Sequence, residues 1–198
     1  MSYPKARLLG RLSTTLVLVV AIAALGTSTA RADWINLGPC SAAQLGQPFA
    51  PWGDPAWYEL PTGGDFESAG WALSGGAHRV LGSEPYAVTG SLGWWSLELP
   101  AGSSAQSPQT CVGAAYPSVR FFIAGTGSVA LSLVSGNTVI PAGVAIATSR
   151  WQPTPVMLTS APVLAVLSGG VAQVSLRISG LTGHPRIDDV WLDPWRRG

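Results

Sequence analysis

Two adjacent carboxylates, Asp188 and Asp189, stand inside a run of β composition, Arg186-Ile187-Asp188-Asp189-Val190-Trp191-Leu192-Asp193, closed by Pro194. Side chains alternate along a strand, which puts Asp188 with Val190 and Leu192 on one face and Asp189 with Ile187 and Trp191 on the other. One acid therefore lies in line with core residues. Away from water a carboxylate has to be hydrogen-bonded, paired or metal-bound, because an unpartnered charge is too costly there. On opposite faces of a strand the two acids do not form a catalytic dyad.

Other patterns for catalysis are thin. His78 and His184 are the two histidines, neither has a ligand partner at metal-binding spacing, and no Gly-x-Ser-x-Gly elbow occurs. The acids Asp54, Glu59, Glu67, Glu84, Glu98 and Asp193 join Asp188 and Asp189 as candidates for glycoside hydrolysis, but the sequence singles out no pair. The expectation is a protein that is not an enzyme. Aromatic residues are the stronger lead. Nine tryptophans are many for this length, and sugars present apolar CH faces that stack on indole rings. Trp94 and Trp95 are neighbours, so in a strand one points inward and the other becomes an outward platform. Trp151, in Ser149-Arg150-Trp151-Gln152-Pro153, is a second candidate, with Tyr86 and Tyr116 behind it. The alternative is that an N-terminal arm covers these rings.

The elements that must hold these residues are strands. Short runs with strand character lie at 70–73, 77–81, 86–89, 94–99, 118–124, 128–134, 138–147, 155–159, 171–178 and 186–192, separated by Gly, Ser, Asn and Pro. With no helix of length, they predict an all-β fold, an antiparallel β-sandwich of jelly-roll type. The one helix-permissive stretch, 161–167, is kept short by Pro162 and by Gly169 and Gly170. Residues 101–109, rich in serine, read as an exposed loop. Residues 33–61 read as an irregular Trp/Pro-rich arm that either lies along a sheet or stays flexible, and 62–198 as the sandwich domain.

Lys5, Arg7 and Arg11 precede an apolar run from Leu16 to Leu25 and then Ala30-Arg31-Ala32, which reads as a signal peptide over 1–32, cut before Asp33. The run is too short to span a bilayer, so the expected location is secreted or extracellular, without membrane insertion after cleavage; an uncleaved anchor is the alternative. The remaining 166 residues carry seven arginines against ten acids, a net charge of about −3, which excludes a basic nucleic-acid surface. Both cysteines, Cys40 and Cys111, fall in that part. In an oxidising compartment they would form one disulfide, restricting the unfolded chain by about 4 kcal/mol in the entropic account; two buried thiols are the alternative.

Gly63-Gly64-Asp65-Phe66-Glu67, Gly70-Trp71, the strands that follow and Ile187-Asp188-Asp189-Val190 occur in an order that resembles the galactose-binding-like jelly rolls, particularly the xylan- and glucan-binding carbohydrate-binding modules. Cys111-Val112-Gly113, Arg120-Phe121-Phe122 and Asp188 to Pro194 are likewise similar to segments of a group of secreted actinobacterial proteins of unknown function. Thr62 stands where the modules usually have Asn, and Asp65 is inserted before Phe66. The resemblance implies a core position for Trp71. It also implies a structural calcium ion held by Glu67, Asp188 and the main-chain oxygen of Asp65, a donor set that suits a hard cation. Without calcium, Asp188 would pair with Arg79, Arg120 or Arg186, or accept backbone hydrogen bonds. The expected function is non-catalytic recognition of an extracellular carbohydrate through Trp94, Trp95, Trp151 and Tyr86. An exported structural or interaction protein of the same fold, with a protein or cell-envelope partner, is the alternative.

Overall fold

The last strand is the spine of the computed structural model, which describes residues 44–113, 117–159, 162–167 and 169–194. The expected signal peptide, Cys40 and Tyr116 lie outside the described residues. In chain order the elements are β1 (Leu45–Gly46), a 3-10 turn (Ala50–Trp52), β2 (Tyr58–Glu59), β3 (Ala72–Ser74), β4 (His78–Leu81), β5 (Trp95–Glu98), β6 (Ser104–Gln106), β7 (Thr110–Gly113), β8 (Ser118–Ser135), β9 (Thr138–Ile146), β10 (Gln152–Pro153), β11 (Met157–Leu158), the short helix α1 (Pro162–Leu167) and β12 (Val171–Asp193). Along one side β12 runs antiparallel to β8, from Ser175 opposite Val134 to Asp193 opposite Ser118. Along the other it meets β7, β6, β5 and β2 in turn. Then β3 adds to β6, β4 to β5 and β1 to β2, while β8 also carries β9, β10 and β11. All these pairings are antiparallel, and the architecture is a β-sandwich of jelly-roll type.

Alternation builds the interior. Val129, Leu131 and Leu133 of β8 point into the main core, with Leu176 and Ile178 of β12, Leu97 of β5 and Trp71, the last as expected. The hairpin from β8 to β9 turns at Gly136, whose φ of +55° suits glycine. Residues 118–124 and 128–134, expected as two strands, form one, because Gly125-Thr126-Gly127 stays paired with Gly183-His184-Pro185 across the bend. A side chain at Gly127 would place its Cβ 1.9 Å from the Thr182 carbonyl oxygen. Only glycine lets the backbones approach this closely.

A second, smaller core lies on the opposite face of the sheet. Phe122 of β8 and Trp191 of β12 pack there with Phe49 and Tyr58 of the arm. Phe49 stacks on Phe122 at 5.4 Å and meets Tyr58 edge-on at 5.1 Å. Burying each of these aromatic rings contributes about 1.5–3 kcal/mol, so the described part of the arm lies along the sheet. A polar clamp fixes it. Asp54 Oδ2 accepts from Arg120 Nη1 and from Tyr58 Oη, both at 2.7 Å, and the Arg120 guanidinium lies 4.4 Å from the centre of the Phe49 ring. Burial raises the Asp54 carboxyl, but these hydrogen bonds outweigh it and hold the group below the usual carboxylate range. Burial, then the bond to Asp54, pushes the Tyr58 phenol up.

Three expectations are corrected. Residues 101–109 are not an exposed loop: β6 lies within them, Ser103, Ala105 and Ser107 are buried, and Ser107 Oγ accepts the Leu176 amide at 2.9 Å. Their small side chains permit close packing where composition suggested solvent. Residues 86–89 form a turn instead of a strand, wrapped around Glu84. Strict alternation also fails at Asp188-Asp189. Register slips by one residue between Asp188 and Trp191, and Asp189 takes a left-handed φ of +45°. This bulge puts Ile187, Val190 and Leu192 together in the main core and turns Trp191 to the other face.

Candidate binding site and the acids beneath it

The bulge decides where the two acids go. Asp188 and Asp189 are both buried, and both turn toward the buried carboxylate of Glu84. Asp188 Oδ2 accepts the Glu84 amide at 2.9 Å and its Oδ1 accepts the Asp189 amide at 2.9 Å, with a further hydrogen bond from Ser83. Burial raises Asp188 to about 7 against this help. Asp189 is raised as well, by burial first and then by the charges of Asp188 and Glu84; its carboxyl is hydrogen-bonded to that of Glu84, which requires a proton between them. Glu84 in turn caps the turn above, accepting the amide of Tyr86, and that of Val88 at 3.4 Å. The acid pair is thus the support under the loop that carries Tyr86.

Tyr86 forms one wall of a cavity of about 490 Å³. Trp151, from the connection between β9 and β10, lines it as well, and Tyr86 Oη donates to the Trp151 carbonyl at 2.7 Å. Ala124 and Gly125 of β8 form the floor. A side chain at Gly125, whose φ is +100°, would place its Cβ 2.6 Å from the His184 carbonyl oxygen, so the floor stays bare. Arg186 of β12 and the exposed Arg150 complete the lining. Arg186 donates from Nη2 to the carbonyls of Leu81 (2.9 Å) and Gly82 (2.5 Å) and to Ser96 Oγ (2.7 Å), and from Nε to Ser96 Oγ (3.2 Å). Its guanidinium carbon lies 5.7 Å from the centre of a Trp151 ring. An aromatic pair beside a fork of donors can stack on an apolar ligand face while satisfying oxygen acceptors.

Of the residues expected to bind ligand, the structure therefore brings Trp151 and Tyr86 together and leaves Trp94 and Trp95 outside the cavity. Trp94 is 73% exposed. Trp95, which opens β5, is half-buried with Arg79 stacked 4.7 Å over its ring. Glu67, expected on calcium, accepts the amides of Trp94 and Trp95 on one oxygen, each at 2.8 Å. Asp65 Oδ1 accepts the Glu67 amide at 3.2 Å.

The closing strand does pass beside the opening Gly63-Gly64, where the Val190 amide donates to the Gly64 carbonyl at 2.9 Å. Ser83 stands between Glu67 and Asp188. It is bonded to Asp188, and a Cβ added at Gly93 would lie 2.6 Å from Glu67 Oε1 and 2.8 Å from Ser83 Oγ. The oxygen donors suit a hard cation, but backbone amides already engage the carboxylates. Among the described residues no three acids, histidines or cysteines converge in a metal-holding arrangement. Glu84, Arg150 and Arg186 were not singled out as site residues by the sequence reading. The one signal for the first was the pair of adjacent acids, which only a bulge reconciles with a strand. Cys111 is buried on β7; its expected partner Cys40 lies outside the described residues.

No protein-family model matches the chain, and no curated protein matches it. Solved carbohydrate-binding modules resemble it. A family 22 module with its xylanase domain from Clostridium thermocellum, complexed with xylohexaose, is 17% identical with a TM-score of 0.48, over 71% of this chain and 29% of that one. A family 61 module in complex with β-1,4-galactotriose is 18% identical with a TM-score of 0.43, over 67% and 96%. The xylan-binding domain of a xylanase from Paenibacillus barcinonensis is 13% identical with a TM-score of 0.41, over 68% and 93%. At such identities and scores the likeness says nothing of ligand or site.

Proposed function

We propose that this protein is a secreted, non-catalytic binder of an extracellular glycan. The observation that carries the reading is the cavity walled by Trp151 and Tyr86, with guanidinium donors at its rim and a floor kept bare by Ala124 and Gly125. An indole and a phenol present faces for a pyranose ring, and Arg186 and Arg150 present donors for its oxygens. The signal peptide, cleaved before Asp33, and a disulfide between Cys40 and Cys111 belong to the same proposal. The pairing is supported by these being the chain's two cysteines and by the lack of a free cysteine among the described residues. Calcium at Asp65, Glu67 and Asp188 belongs to it as well, although an ion there has to displace the amide bonds described above. No binding step depends on it.

A second reading, a protein or cell-envelope partner, is favoured by one observation: Trp94 and Leu92 stand 73% and 62% exposed, away from the cavity. Affinity electrophoresis on a panel of soluble glycans separates the two. Retention by at least one glycan, weakened about tenfold or more by Trp151→Ala, a loss of roughly 1.4 kcal/mol, and unchanged by Trp94→Ala, is the expected result. Absence of retention on every glycan, or indifference to Trp151→Ala, overturns the reading.

A further inference from the structure

The cavity combines two unanswered positive charges with no acid. The lining residues include Arg150 and Arg186 and neither Asp nor Glu. Among the described residues the ion pairs are Arg120 with Asp54 and His184 with Glu98, so neither cavity arginine has a carboxylate partner among them. Arg186 is half-buried and spends Nε and Nη2 on neutral oxygens, while its Nη1 has no hydrogen-bond partner among the described residues. The guanidinium of Arg150 makes no hydrogen bond with them either. The setting makes this unusual, because the chain from Asp33 onward carries ten acids against seven arginines. A carboxylate would be easy to supply, yet none of the described ones lines the site.

Partial burial strengthens the pull of such charges, since the local dielectric falls below that of water. A planar guanidinium with a free edge matches a carboxylate by parallel N–H donation. A neutral sugar would use the ring walls and leave the charge unanswered. Resting on the glycan reading above, the geometry points to an acidic saccharide: a uronate whose ring stacks on Trp151 and Tyr86 and whose carboxylate meets Nη1 of Arg186 and the guanidinium of Arg150.

The test uses the mature chain in isothermal titration calorimetry with three probes: oligogalacturonate, the same oligosaccharide fully methyl-esterified, and poly(glycerol phosphate). The ester keeps the ring faces and removes the charge. Oligogalacturonate is expected to bind at least tenfold more tightly than its ester. Arg150→Ala is expected to erase most of that difference, Arg150→Glu to abolish acid binding, and raising NaCl from 50 to 500 mM to weaken the acid but not the ester, as screening requires. Equal binding of acid and ester, with both lost in Trp151→Ala, overturns the acidic assignment while the glycan reading stands. Tighter, Arg150-dependent binding of poly(glycerol phosphate) overturns the uronate in favour of a phosphate polymer. Binding of none of the three, together with no retention on the neutral panel, overturns the glycan reading itself.

Discussion

Two arginines in this molecule lie over aromatic rings, and they are treated differently. Arg120 sits 4.4 Å from Phe49 and is closed off: Asp54 takes its charge at 2.7 Å, the Thr154 carbonyl takes its Nε at 2.9 Å, and the arm covers it. Arg186 sits 5.7 Å from Trp151, and its hydrogen-bond partners among the described residues are carbonyls and a hydroxyl, beside a cavity. The ingredients are the same, an arginine from a central strand and a ring from an adjoining loop. What differs is the carboxylate. Where the fold supplies one, the assembly joins the arm to the sheet; where it does not, the assembly can accept an acid from outside. A charge pair completed within the chain serves structure, and one left half-made is what the proposed recognition of an acid uses.

The largest effect that would break this contrast is expected at Asp54. Asp54→Ala strands Arg120 under the arm with its charge unanswered and should cost about 3–5 kcal/mol, read as a lowered urea midpoint. A loss below about 1 kcal/mol would mean that the internal pair is no more necessary than the absent external one.

Next comes the acid pair beneath the Tyr86 loop, a negative counterpart in which charge is answered by protons. Asp188 titrates near 7 when folded and near 3.8 when not. Between those values the folded chain holds a proton that the unfolded chain has released. Stability contributed by this group is complete below pH 4 and is lost as pH rises toward 7, by up to about 1.4 kcal/mol per pH unit. Thermal midpoints in EDTA across that range check the slope, and a flat profile would refute it. If calcium binds, its addition raises the midpoint most above pH 7, where Asp188 has lost its proton; an unchanged midpoint removes the ion from the proposal. The smallest effect sharpens the cavity itself. Tyr86→Phe removes the bond to the Trp151 carbonyl and should reduce stability by about 1 kcal/mol, with a few-fold loss of glycan affinity by calorimetry.

The strand pattern was readable because alternation in stretches such as Val129 to Leu133 and Val171 to Ile178 reflects one buried and one less buried face. Glycines misled it, since Gly125, Gly127 and Gly183 look like turns but let two paired backbones bend together. Composition misled it again at Ser103 to Ser107, where Ser103 and Ser107 are buried, the latter with its hydroxyl bonded to the Leu176 amide and the Pro108 carbonyl. At the site, Trp151 and Tyr86 were visible as aromatics flanked by turn residues. Arg186 was not, because its role depends on which neighbours lack a carboxylate, and a strand read alone does not name its neighbours. Asp189 was misplaced because a single residue in the left-handed region reverses everything that alternation assigns.

The strand that pairs with β2, β5, β6, β7 and β8 also follows all five of them in the chain. Until Val171–Asp193 arrives, five partners have an open edge, and neither core can close. A nascent chain must therefore leave these edges exposed until β12 has been made, and a truncation before Val171 should yield aggregation-prone fragments instead of a smaller domain.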